Sequence, residues 1–216
     1  MHVAAGIAGL AAGLVVGPIV DRLATNAPAR HPLLAPVARS RWIALVAAAT
    51  AGLGAACGIS FGFTFEALIG AVFCWVLVLI TRTDLEHRLI PNRVVIPASV
   101  AILVARTIDD PSVAWLLSGL GAGLFLFVFV LVYPSGIGMG DVKLAALMGF
   151  ALGTSVAPAL FLGFAVAFVP AAFLLLRHGR SALKLGIPLG PFLALGGVVG
   201  LFAGSAILDW YSRAGH

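Results

Sequence analysis

The 216-residue sequence has few charged residues: Asp, Glu, Lys and Arg together make up only 10% of it. Soluble domains typically carry about 25% charged residues, so this shortage excludes an ordinary globular domain in water. Hydrophobic residues instead account for 62% of the chain, which is more apolar surface than a soluble protein of this length can bury. The composition therefore predicts an all-α membrane protein that crosses the bilayer several times.

Cysteine is nearly absent, and the common signatures of metal and nucleophile chemistry are missing. The only two cysteines, Cys57 and Cys74, lie in apolar runs without a CxxC spacing. We therefore interpret them as packed core thiols and not as zinc ligands. The sequence also lacks HExxH, GxSxG and phosphate-loop motifs, which argues against a zinc protease, a serine hydrolase and a nucleotide-binding protein. We expect no metal ion and no other cofactor.

Eight apolar segments divide the sequence, most of them close to the roughly 20 residues that cross a bilayer as a helix. They are residues 3–20, 42–60, 64–81, 93–108, 114–133, 142–157, 159–176 and 190–208. Only Thr154, Ser155 and Pro158 mark a turn between the sixth segment and the seventh. We expect a single membrane domain over residues 1–216, with the first segment retained as a helix and not cleaved as a signal peptide.

The basic residues lie between these segments and predict an orientation. If the N-terminus is outside, the inside loops are residues 21–41, 82–93, 134–143 and 177–189, and they hold 11 of the 13 basic residues. Such an asymmetry is typical of cytoplasmic loops, so both termini are expected outside. The net charge of +5 forms no basic patch, so we expect no nucleic-acid partner.

Residues 134–144, PSGIGMGDVKL, interrupt the apolar sequence and place a carboxylate, Asp141, at the start of the sixth segment. An ionisable residue at the edge of a membrane segment is costly and is by default a candidate functional residue. Gly138 and Gly140 let the backbone approach a neighbouring segment or a bound peptide closely. Helix capping by Asp141 is the simpler alternative, but this run is longer than a cap requires.

A second carboxylate, Asp84, follows the third segment in the loop TRTDLEHRLIPN. Pro91 and Asn92 end this loop, and proline suits the entry to the next helix. Taken alone, Asp84 is equally well explained as a solvated charge paired with Arg82 or Arg88.

Other charged residues nearby have simpler interpretations. We expect Glu86 and His87 on a solvated loop face and Glu66 at the outer membrane interface. Lys143 either steadies Asp141 or the substrate, or extends to the membrane surface.

Two carboxylates held together in a partly desolvated site cannot both ionise easily, so one keeps a proton while the other stays charged. The charged carboxylate can take a proton from a water that attacks a peptide carbonyl. The protonated one can hydrogen-bond the carbonyl oxygen and later supply the leaving amine. If Asp84 and Asp141 meet on the predicted cytoplasmic side, they form an aspartyl peptidase site.

Two stretches of this sequence resemble the signature motifs of the prepilin peptidases, the type IV leader peptidases of the GxGD class of intramembrane aspartyl proteases. They are Asp84 with Ile90-Pro91-Asn92, and Gly138-Met139-Gly140-Asp141-Val142-Lys143-Leu144. Residues 187–196, IPLGPFLALG, are similar to the family's C-terminal pattern, and residues 9–23 are similar to its first helix. The likeness covers most of the chain from about residue 64 onward.

The resemblance implies that Asp84 and Asp141 are the catalytic residues of an enzyme in the bacterial cytoplasmic membrane. We expect the substrate-binding or site-shaping residues to be Gly138, Gly140, Lys143, Pro91 and Asn92. The resemblance also implies the substrates: prepilin or pseudopilin precursors, cut on the cytoplasmic side between a short basic leader and a hydrophobic helix. Membrane lipid is the other expected partner.

One feature departs from the family pattern. Many members carry a cytoplasmic insertion after the first helix, in which paired CxxC motifs bind zinc, and they also N-methylate the product. The corresponding loop here, residues 21–41, contains no cysteine. We therefore expect peptidase activity without that zinc site, and methyl transfer either by a separate enzyme or not at all.

Two other functions fit parts of the pattern. In a small secondary transporter, Asp84 and Asp141 would bind protons or a cation, but such carboxylates more often lie at mid-membrane between inverted repeats. We find no internal repeat in the sequence. In a non-catalytic assembly subunit the same charges would hold a partner, and neither carboxylate would need to titrate.

Overall fold

The computed structural model of the chain describes residues 1–25, 39–132, 137–178 and 188–214. These residues form eight α-helices and one 3₁₀ turn, which confirms the predicted all-α fold. The helices are α1 (His2–Thr25), α2 (Arg39–Phe61), α3 (Phe65–His87), α4 (Asn92–Asp109), α5 (Val113–Val132), α6 (Met139–Leu152), α7 (Val156–His178) and α8 (Gly190–Ala214). Of the predicted inside loop at residues 21–41, residues 26–38 lie outside the described residues, and the rest belongs to the ends of α1 and α2.

Six stretches of described helix are long and apolar enough to cross a membrane, as expected for a multi-pass membrane protein. They are His2–Ala24, Arg41–Phe61, Phe65–His87, Val113–Val132, Met139–Arg177 and Gly190–Ala214. Large apolar side chains such as Leu124 and Phe161 point away from the bundle, as a lipid-facing surface requires. Helix α4 is not among the six, and α6 and α7 count as one stretch. The number eight and the outside N-terminus therefore remain predictions.

Helices α6 and α7 are separated by the 3₁₀ turn Gly153–Ser155, close to the turn predicted from Thr154 and Ser155. Gly153 has a φ of +59°, a positive value that glycine adopts without the steric cost that a side chain would add. A Cβ at this position would also lie 2.9 Å from the Trp115 ring. Without the break, the 39-residue stretch Met139–Arg177 would be a helix about 58 Å long, roughly twice the thickness of the hydrocarbon core.

Helix α3 is the central helix of the bundle, since it contacts α1, α2, α4, α6 and α8. Its side chains Phe73, Leu77 and Ile80 are buried in the largest apolar core, together with residues of the helices that follow it. Lipid is as apolar as these side chains, so close packing, more than removal from water, holds the helices together. This packing fixes the position of the C-terminal end of α3, which carries Asp84.

The predicted end of the third segment at Thr81 is wrong, because α3 continues to His87. Arg88 follows in the left-handed conformation with a φ of 49°, and its N–H donates to the Asp84 carbonyl at 3.0 Å. Arg82 and His87 are 2% and 9% exposed, so the predicted solvated loop face is also wrong for His87. The sequence suggested a loop because charged residues are normally excluded from membrane helices.

A buried ion pair between Arg82 and Asp21 stabilises both charges and joins α1 to α3. Arg82 Nε lies 3.5 Å from Oδ1 of Asp21 on α1, and both side chains are 2% exposed. Arg82 also pairs with Glu86, one turn further along α3. Its guanidinium lies 4.3 Å from the centre of the Trp42 ring on α2. The cluster thus ties α1 and α2 to the part of α3 that carries Asp84.

We expect the substitution Arg82→Gln to destabilise the protein, because it leaves the buried Asp21 carboxylate without its counter-charge. Breaking a buried ion pair from one side typically costs about 3–5 kcal/mol, which thermal unfolding in detergent measures as a lower melting temperature. Arg88→Gln is the matched control, since Arg88 is exposed and should contribute little. Equal melting temperatures of the two variants would contradict the role assigned to the ion pair.

Candidate active site

Asp84 lies in the last turn of α3, where the start of α8 contacts it. Its side chain is buried, and Oδ2 accepts a hydrogen bond of 2.9 Å from the backbone N–H of Gly190. Gly190 is the first residue of α8, so this N–H belongs to the positive end of a helix dipole. The contact stabilises a negative charge on Asp84 and fixes the orientation of the carboxyl group.

From the sequence, Gly190 was expected to mark either irregular backbone beside the site or a plain helix start, and its contact with Asp84 was not predicted. A Cβ at this position would lie 2.8 Å from Oδ2 of Asp84, closer than a side chain can approach. A side chain at this position would therefore force the Asp84 carboxyl group to shift away from the N-terminus of α8. The signal in the sequence was its place in IPLGPFLALG, of which residues 188–196 are described.

Asp141 is the third residue of α6, in the first turn as predicted. Its Oδ2 accepts a hydrogen bond of 3.1 Å from the Gly138 N–H, and its own N–H donates to the Gly138 carbonyl at 3.0 Å. This reciprocal pair caps the helix, so the simpler interpretation of Asp141 holds for one of its oxygens. Capping leaves the second oxygen available.

Asp84 and Asp141 line the same cavity, which has a volume of about 250 Å³. Each aspartate uses Oδ2 for its backbone hydrogen bond, and within the described ranges neither Oδ1 has a hydrogen-bonding partner. The structure thus brings the two predicted carboxylates together at one end of the bundle.

Gly140 and Gly138 shape the cavity in different ways. A Cβ on Gly140 would lie 2.9 Å from Cβ of Ile90, which lies in the α3–α4 connection. Gly140 therefore permits the close backbone approach that the sequence predicted. A Cβ on Gly138 would meet the Asp141 carboxylate at 3.5 Å, an ordinary contact. The contribution of Gly138 is its N–H, which any residue except proline could supply.

A contact between α4 and α6 forms part of the rim of the cavity. Lys143 Nζ donates a hydrogen bond of 2.8 Å to Oδ1 of Asn92, the first residue of α4. Pro91 precedes this helix, and its carbonyl accepts the Val95 N–H at 3.1 Å. Lys143 is therefore fixed at the mouth of the cavity, and all five predicted site-shaping residues lie at or beside it.

The geometry of the cavity suits acid–base chemistry on a neutral polar group. It offers two carboxylate oxygens on opposing helices, with a Lys143 ammonium and an Arg88 guanidinium in its wall. A water held between the carboxylates could lose a proton to one and be oriented by the other. The described residues contain no group of three or more potential metal ligands.

The chain is similar to known proteins over most of its length. A family model for the type IV leader peptidase family matches residues 71–176, which include both aspartates. Among curated proteins, the prepilin leader peptidase/N-methyltransferase of Bacillus subtilis (strain 168) is 36% identical over 168 residues, 76% of this chain. Proteins of the same name from Legionella pneumophila and Pseudomonas aeruginosa are 30% and 29% identical over 70% and 77% of this chain.

The chain spans 67%, 55% and 60% of the lengths of these three relatives, respectively. No solved structure matches it. The family model and the relatives confirm the resemblance that the two aspartate motifs indicated. The chain belongs to the type IV leader peptidase family.

Proposed function

We propose that this protein is an aspartyl endopeptidase that removes the leader from type IV prepilin or pseudopilin precursors. Membership of the family supports a peptidase. The observation that carries the aspartyl mechanism is the single cavity shared by Asp84 and Asp141. The proposal covers leader removal alone, since the loop at residues 21–41 has no cysteine and so lacks the CxxC motifs expected of methylating family members.

In the proposed reaction, the two carboxylates share one proton and activate one water. The backbone N–H groups of Gly190 and Gly138 hold the Oδ2 atoms, so the Oδ1 atoms are the reacting ones. The charged carboxylate takes a proton as the water attacks the peptide carbonyl. The protonated carboxylate hydrogen-bonds the developing oxyanion. As the C–N bond breaks, the leaving amine receives the proton taken from the water, and the pair is again singly protonated.

The surrounding residues position the peptide in this proposal. The absence of a Cβ at Gly140 keeps the Ile90 loop against α6 and sets the width of the cavity. The Lys143–Asn92 pair at the mouth can donate hydrogen bonds to carbonyl groups of an extended substrate backbone. Pro91 fixes the entry of α4, and hence the position of Asn92.

The placement of the aspartates favours a peptidase over a transporter. Asp84 lies in the last turn of α3 and Asp141 in the first turn of α6, so both are near helix ends. Transporter carboxylates typically lie near the bilayer midplane. The loop charges support a cytoplasmic position for this end of the bundle, where a leader ahead of an inserted precursor helix would be accessible.

Asp84→Asn and Asp141→Asn should each abolish leader removal from a co-expressed prepilin, with a loss of at least about 1,000-fold, because neither variant retains the acid–base pair. Processing is followed by the mass of the precursor, and membrane insertion of each variant is verified. The matched control is Asp209→Asn, on the exposed C-terminal part of α8, which should process normally. Normal processing by an inserted Asp84 or Asp141 variant would exclude the mechanism.

The rate of leader removal in proteoliposomes should have a bell-shaped dependence on pH. At low pH both carboxylates are protonated, and no base remains to activate the water. At high pH the shared proton is lost, and no acid remains for the carbonyl oxygen. The rate is measured with saturating precursor over a pH range in which the protein stays folded. A rate that rises continuously with pH would rule out the protonated carboxyl as a participant.

Gly190→Ala should lower the rate of leader removal by roughly 10- to 100-fold, because the new Cβ displaces Asp84 from the α8 N-terminus and a small misplacement is costly to catalysis. Gly121→Ala is the matched control, since a Cβ on this residue of α5 meets no atom within 4 Å. It should keep full activity. The prediction fails if Gly190→Ala is as active as the control while both variants fold.

A further inference from the structure

A second cavity lies at the opposite end of the bundle from Asp84. Its volume is about 370 Å³, and its wall includes Glu66, Arg106, Trp115 and the turn at Gly153. Glu66 precedes Asp84 by 18 residues (84 − 66) on α3, which places them about 27 Å apart along the helix axis. Because of this distance, the cavity is separate from the candidate active site. Its volume falls within the roughly 300–1,000 Å³ of typical ligand pockets.

Arg106 is the buried charge of this second cavity. The residue is 5% exposed, and its Nε donates a hydrogen bond of 3.0 Å to the Ala151 carbonyl. Its guanidinium lies 4.8 Å from the centre of the Trp115 ring. Nη1 is 3.7 Å from Oε1 of Glu66, an ion pair longer than a hydrogen bond. These contacts hold the guanidinium in place and leave most of its five N–H donors unused.

Arg106 lies in the wall of the cavity, and its Nη2 has no acceptor within the described ranges. Each guanidinium nitrogen of Arg106 is either hydrogen-bonded or partly accessible to solvent. Within the described ranges, the Ala151 carbonyl and the Glu66 carboxylate are its acceptors. The terminal edge of a guanidinium, formed by Nη1 and Nη2, can bind a phosphate through two hydrogen bonds.

Carboxylates and apolar side chains surround the arginine. Glu66, whose side chain is 47% exposed, and Asp110 lie in the cavity wall, where they can accept hydrogen bonds from an ammonium group. Phe65 and Val113, which neighbour wall residues in the sequence, are 43% and 68% exposed. The site thus combines a phosphate-binding cation, ammonium-binding anions and an apolar surface beside them.

We propose that this cavity binds the headgroup of a phospholipid that carries both a phosphate and a primary ammonium, as phosphatidylethanolamine does. The phosphate binds to Arg106, and the ammonium binds to Glu66 and Asp110. The acyl chains lie against the exposed apolar side chains of the neighbouring helices. A choline headgroup has no N–H to donate, and a glycerol headgroup has no positive charge, so neither satisfies the carboxylates.

The test measures which lipid stays with the full-length protein. The protein is reconstituted with equal amounts of phosphatidylethanolamine, phosphatidylcholine and phosphatidylglycerol of the same acyl chains, then re-extracted in detergent. Mass spectrometry counts the retained lipids. We expect phosphatidylethanolamine to be enriched about tenfold over each of the others, which corresponds to about 1.4 kcal/mol. Equal retention of the three lipids would overturn the proposal.

Variants test the phosphate contact and the ammonium contacts of the headgroup separately. Arg106→Gln should remove the enrichment, while Glu66→Gln and Asp110→Asn should weaken retention of phosphatidylethanolamine relative to phosphatidylcholine. Arg213→Gln, which changes an exposed arginine near the end of α8, should change neither. If Arg106→Gln does not fold, Glu66→Gln and Asp110→Asn test the proposal, since they leave the Arg106–Ala151 hydrogen bond intact. Unchanged enrichment in the folded variants would overturn the proposal.

A competition experiment distinguishes binding of a lipid from binding of a soluble compound. Phosphoethanolamine without acyl chains is added at increasing concentration during re-extraction. We expect it to displace the lipid only at concentrations at least about 100-fold higher, because burial of the chains adds to the affinity of the lipid. Displacement at concentrations equal to that of the lipid would assign the cavity to a small solute and would overturn the lipid proposal.

Discussion

The hydrogen bond from the Gly190 N–H to Asp84 joins residues 106 positions apart in the sequence, and the geometry of the candidate site depends on it. The bond is possible because α8 begins with a residue that has no side chain and because the α3 core fixes the C-terminal end of that helix. Asp141 is held similarly, by the Gly138 N–H at the start of α6. In both cases a helix N-terminus supplies a donor that its own helix leaves unused.

The parts of the site that the sequence predicted are those encoded locally. Asp84 and Asp141 could be found because a carboxylate in an apolar sequence is costly and therefore informative. The burial of Arg82 could not be predicted, because its partners Asp21 and Trp42 come from other helices. The predicted C-terminal end of α3 was wrong for the same reason, because charged residues are assigned to loops when their buried partners are unknown. The contact of Gly190 with Asp84 was missed because it is a close approach between helices distant in sequence.

The region that matches the family model is fixed to helices outside it. The match covers residues 71–176, whereas α1 and α2 end at Thr25 and Phe61. The Asp21–Arg82 pair and the contact of Arg82 with the Trp42 ring connect these two helices to the turn of α3 just before Asp84. The position of the first aspartate therefore depends on helices that carry none of the proposed catalytic groups.

Because α6 ends just before Gly153, after only 14 residues, its length bears on the depth of the site in the bilayer. Helix α6 has 14 residues and is about 21 Å long, whereas the hydrocarbon core is roughly 30 Å thick. A helix with this hydrophobic mismatch ends below the level of the lipid carbonyl groups unless the bilayer thins around it. If the submerged end is the one that carries Asp141, water reaches this carboxylate through the cavity that it shares with Asp84. In the proposed reaction, a precursor could be cut at that depth while its apolar helix remains in the lipid phase.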